Sequence, residues 1–127
     1  MRLSIALFWI FFMLLFTGCR DKSRPDASAR SLGITALETG LEAWRLNQKA
    51  SELQSRKPPI YFADEDWHMG KKLLGFQQIP SQESVGGTYR CEVTLTLEND
   101  SGAPFQITVT YRIQTGDSIS ISRLEKH

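Results

Sequence analysis

This 127-residue chain has few of the residues and none of the short motifs that name a reaction. It holds two cysteines and two histidines, one of them the last residue. No G-x-S-x-G, H-E-x-x-H or C-x-x-C is present, and no Gly-rich phosphate loop. The local signatures of serine hydrolases, zinc peptidases, dithiol redox proteins and phosphate-binding loops are therefore missing. Charge of one sign is also missing: 15 basic residues face 14 acidic ones. Nucleic-acid binding needs clustered Lys and Arg, so no nucleic-acid partner is expected. No internal repeat or low-complexity tract is visible, and no cofactor is implied.

Long apolar runs are absent except at the start. From Leu3 to Phe16 every residue but Ser4 is apolar, and Arg2 is the only charge before Arg20. A membrane-spanning helix needs about 20 apolar residues to cross about 30 Å of hydrocarbon, so fourteen is short. The same run suits the apolar region of an export signal, which follows a basic residue and precedes small ones. A helix of a soluble core would carry an apolar stripe, whereas this stretch is apolar all round. The small residues arrive as Phe16-Thr17-Gly18-Cys19, which resembles the lipobox of bacterial lipoproteins, with Phe where the family usually has Leu. The resemblance implies that residues 1–18 are a signal peptide, that it is cut before Cys19, and that Cys19 carries lipid. Two or three acyl chains, each worth about 0.8 kcal/mol per buried CH₂, would anchor the protein stably. The resemblance places the protein on the cell membrane or outer membrane, facing the periplasm or the exterior. Arg20, where inner-membrane lipoproteins tend to carry Asp, favours the outer membrane.

Behind the signal lie 109 residues with 14 basic and 14 acidic side chains, enough for one small core. Residues 20–31 hold no large apolar side chain and read as a flexible tether, giving segments 1–18, 19–31 and 32–127. Thr35 and Glu38 have the spacing of a capping box, and Leu37, Leu41 and Trp44 fall on one helix face. Asn47 is a candidate stop. "SELQS" at 51–55 suggests a further short turn, which Pro58-Pro59 prevents from continuing. "PIYFA" reads as extended. Asp64 is a candidate N-cap and Gly70 a candidate C′ for a short helix at 64–70. Four strands are expected at 72–79, 87–98, 105–114 and 118–124, from period-two alternation and the turns between them. Cys91 falls on the apolar face of the second, so a structural role outweighs a reactive one.

The expectation is an α+β domain: an N-terminal amphipathic helix packed on one face of a four-stranded antiparallel sheet. This order resembles the cystatin-like or NTF2-like half-cone. It also resembles small bacterial lipoproteins that share a Trp-bearing helix, a D-x-D-W turn and a C-x-V-x-L-x-L…V-x-Y strand pair, here Trp44, Asp64, Asp66, Trp67, Cys91, Val93, Leu95, Leu97, Val109 and Tyr111. Neither resemblance implies an activity. The expected core is Leu37, Leu41, Trp44, Trp67, Phe76, Tyr89, Val93, Leu95, Ile107, Val109, Tyr111 and Ile121.

Candidate sites are few. Asp64, Asp66 and His68 could ligate a divalent metal, but acids in a first helical turn also simply complement the helix dipole. Thr94, Thr96, Thr108, Thr110 and Arg112 share the outer sheet face and could form a contact surface, or an ordinary solvated one. The leading expectation is a non-catalytic interaction or structural module, anchored to the membrane and facing an envelope protein partner. The alternative is a small-molecule-binding domain or enzyme with a pocket between helix and sheet. Geometry separates the two. An interaction module fills its interior with Trp44, Trp67, Phe76 and Tyr111, whereas a binding domain needs a pocket of roughly 300 Å³ or more with polar groups converging in it. A pocket holding His68 with Asp64 or Asp66 favours the alternative.

Overall fold

The computed structural model describes residues 25–79, 84–85 and 88–125. Residues 1–18, expected to be a signal peptide, and Cys19 lie outside the described residues. The first element is helix α1 (Pro25–Arg45). It begins ten residues before Thr35, which therefore sits inside the helix and caps nothing; Thr39 Oγ1 donates back to the Thr35 carbonyl at 2.8 Å. Pro25 occupies the first helical position, where a missing N–H costs nothing. Residues 25–31, polar enough to read as tether, are thus helical. Asn47 at φ 60° turns the chain out of the helix, as a left-handed residue past a C-terminus does.

A 3₁₀ turn (Ala50–Ser55) follows, then strand β1 (Ile60–Ala63) and the one-turn helix α2 (Glu65–His68). The remaining elements are β2 (Leu73–Ile79), the two-residue β3 (Ser84–Val85), β4 (Thr88–Glu98), β5 (Pro104–Gln114) and β6 (Ile119–Leu124). The fold is α+β, as the sequence implies, but the sheet is not four antiparallel strands. Five strands run in the order β1-β6-β5-β4-β2, with β3 paired to β4, and β1 lies parallel to β6 with Ile60 opposite Ile119 and Phe62 opposite Ile121. "PIYFA" carries no local sign of this, because parallel strands need a long crossover rather than a turn. The β4–β5 hairpin is legible locally. Asn99 Oδ1 accepts from the Ser101 and Ala103 amides at 3.0 and 2.8 Å, and Gly102 has φ +83°.

Helix α1 lies on the face formed by Ile113, Ile119, Ile121, Val93, Leu95 and Leu97, all buried. Every residue of the expected core is in or against this cluster, with Phe76 and Ile107 only partly buried. Cys91 is buried and unpaired; burial, then the neighbouring Glu92 charge, pushes its thiol pKa up.

The helix approaches the sheet closely because its inner face carries small residues. A Cβ on Gly40 would lie 2.5 Å from Phe62 Cε2, and one on Gly33 2.9 Å from Ile113 Cγ2. Gly40→Ala gains up to about 1 kcal/mol of helix propensity but forces the Phe62 ring to move, and overpacking costs about 1–3 kcal/mol. A lower urea midpoint is expected; a stabilised Gly40→Ala protein would contradict the close approach.

Candidate functional site

Parallel pairing of β1 and β6 makes both strands leave the sheet at the same end. The segment 64–68 leaving β1 is thereby set beside the segment 123–125 that closes β6. Asp64 is the centre of what this builds. Its side chain is 0% exposed. As the N-cap of α2 it accepts from the Asp66 amide at 2.9 Å and the Trp67 amide at 3.3 Å, both on Oδ1. Tyr111 Oη donates to Oδ2, and Arg123 Nη1 stands 3.6 Å from Oδ1. A buried carboxylate is tolerated only when it is paired and hydrogen-bonded in this way. Burial first, and then the adjacent Asp64 charge, raises the Tyr111 pKa so far that the phenol stays a donor.

Asp66 points the other way, to Arg123 Nη1 and to Lys71 Nζ at 3.1 Å. Burial opposes its ionisation, but the hydrogen bonds from Arg123 and Lys71 outweigh that and hold its pKa below the usual 3.8. A depressed carboxyl pKa contributes stability above the unfolded value and loses it as pH falls through the folded one. Stability should therefore decline below about pH 4, and Asp66→Asn should flatten that decline in denaturant titrations across pH. An unchanged acid limb would argue against these ion pairs.

Two tryptophans brace α2 against α1. Trp44 and Trp67 stack with centroids 5.7 Å apart and planes 6° from parallel. Trp44 Nε1 donates to the Lys71 carbonyl at 2.8 Å, and Trp67 Nε1 to the Gln48 carbonyl at 3.1 Å. Phe62 meets both Trp67 and Tyr111 edge to face at 5.3 Å.

Beside this packed interior lies an open cleft of about 970 Å³. Phe62, Ile107 and Val109 supply apolar surface; Glu65, Asp66 and His68 come from α2, and Arg123, Leu124 and Glu125 from the end of β6. Trp44, Trp67 and Tyr111 are buried in the interior and Phe76 packs against it only partly buried, and a cleft well above 300 Å³ exists with Asp64, Asp66 and His68 in its wall. Sequence reasoning found those three residues. It missed Arg123, whose only signal is a basic residue continuing the inward register of Ile119 and Ile121.

The three residues weighed as metal ligands do not converge. Asp64 is occupied by two amides and a phenol, Asp66 by two cations, and His68 is exposed at the surface. Among the described residues no group of three or more His, Cys, Asp or Glu side chains could hold a metal ion. Of the residues weighed as a contact face, Thr94 lies opposite Thr108, Thr96 opposite Gln106, Thr110 opposite Glu92, and Arg112 opposite Arg90, and Thr108 also lines the cleft. The Thr94 and Thr108 hydroxyls are 3.3 Å apart. Among the described residues no helix is long and apolar enough to cross a membrane.

No protein-family model and no curated protein matches the chain. Among solved structures it is similar to the crystal structure of TerC co-crystallized with polyporic acid, at 11% identity over 74% of this chain and 91% of that chain, with a TM-score of 0.46.

Proposed function

We propose that this is a lipid-anchored cell-envelope protein whose domain binds a small ligand in the cleft between α2, β5 and the end of β6. The anchor rests on the short apolar run ending in Phe16-Thr17-Gly18-Cys19. The binding reading rests on the cleft, whose volume and mix of apolar and polar lining suit a small molecule. The reading is of binding: Asp64 holds two backbone amides and the Tyr111 hydroxyl, so this pair braces the wall of the cleft.

The test uses the full-length protein extracted from its own membranes. Native mass spectrometry should find a small molecule on the wild type and lose it on Ile107→Trp, which fills the cleft. Cys19→Ser should release or misprocess the protein without changing the ligand. An empty wild type, together with one protein partner crosslinked reproducibly from Thr94 or Arg112, would replace this reading with that of an interaction module acting through the outer sheet face.

A further inference from the structure

Among the described residues the charges around the cleft are not balanced. Asp64 and Asp66 are neutralised by Arg123 and Lys71. Glu65 and Glu125 also line the cleft, both are exposed, and neither has an ion-pair partner among the described residues. Both stand at the end where β1 and β6 leave the sheet, one on each of the two emerging segments. Among the described residues Arg123 is the one lysine or arginine in the lining, where His68 also stands exposed; the Arg123 side chain is only 26% exposed, with Nη1 committed to the two aspartates. An entering anion would therefore meet two exposed carboxylates with no ion-pair partner among the described residues and an arginine already held. An entering ammonium would meet carboxylates that give up no existing partner. Beyond them, Ile107 is half-buried and Leu124 partly so, leaving apolar surface for the body of a ligand.

We propose, resting on the cleft being a ligand site, that its ligand is a small amphipathic cation, an apolar body carrying a protonated amine. The apolar part packs on Ile107, Val109 and Leu124, and the ammonium sits between Glu65 and Glu125. The same arrangement disfavours carboxylates and phosphates of equal size.

The test titrates the full-length protein, held in nanodiscs of zwitterionic lipid, with three probes alike in shape and different in charge: 2-phenylethylamine, 2-phenylethanol and 3-phenylpropanoate. Saturation-transfer NMR reads binding. At low salt the amine should bind roughly 3–10-fold tighter than the alcohol, from two exposed charge pairs, and the carboxylate most weakly. The preference should shrink as salt is raised, because exposed charges are screened. The double variant Glu65→Gln/Glu125→Gln should bind amine and alcohol alike. Ile107→Trp should weaken all three probes, with Leu124→Trp in its place if the first does not keep its thermal transition. A carboxylate that binds as well as the amine, or a preference that survives the double variant, overturns the ligand class and leaves the cleft as a site. Failure of all three probes to bind wild type overturns the cleft reading itself.

Discussion

Asp64→Ala is expected to remove about 3–5 kcal/mol of stability, the range for breaking a buried charged pair by deleting one partner. Three donors lose their acceptor at once, the Asp66 and Trp67 amides and the Tyr111 hydroxyl, and Arg123 loses a carboxylate charge 3.6 Å away. Water cannot replace them freely, because the carboxylate is wholly covered. For a domain of this size, with roughly 5–15 kcal/mol in total, the loss is a large share. Two further variants divide it. Asp64→Asn keeps an oxygen for the two amides and loses the charge facing Arg123, so a smaller loss of about 1–3 kcal/mol is expected. Tyr111→Phe removes one charged hydrogen bond and should cost about 1.5–3 kcal/mol. Urea unfolding of the three proteins measures the series. An Asp64→Ala protein as stable as wild type would mean that α2 is not held by this carboxylate.

Trp44→Ala should cost a similar amount, about 3–5 kcal/mol, by a different route. Trp44 is 2% exposed, at the C-terminal end of α1, and its ring lies flat on Trp67. Truncation leaves a void under α2 and an unpaired Lys71 carbonyl. Trp44→Phe retains most of the apolar area and the stacking, and loses the N–H; the cost expected is about 1–2 kcal/mol. A near-neutral Trp44→Ala, read in the same denaturant experiment, would contradict the packing of α1 on α2. Both substitutions bear on function, since α2 is a wall of the cleft and both act where it is fastened.

Legibility differed among the elements for physical reasons. The β4–β5 hairpin was readable because its alternation, and the asparagine and glycine of its turn, act within a few residues of each other. Asp64 as N-cap and Gly70 at φ +85° were readable for the same reason. The start of α1 was not, because Thr35-x-x-Glu38 has the spacing of a cap whether or not the chain ahead of it is already helical. Strand β1 was not, because four residues bounded by prolines and an aspartate have no period to detect.

Taken alone, the sequence determined the class of the domain, the face of each β4 and β5 residue, and the core built around Trp44, Trp67 and Tyr111. Those properties follow from local periodicity, which any fold must satisfy to hide these side chains from water. It also supplied the aspartates and the histidine of α2 as candidates, without a role. Only the tertiary structure decided that role. The parallel pairing of Ile60–Ala63 with Ile119–Ser122 brings Arg123 to Asp64 and Asp66, closes Tyr111 onto Asp64, and opens the cleft beside them. A contact between residues so far apart in the chain leaves no periodic trace in either segment, because its energy comes from burying one against the other rather than from anything either does by itself.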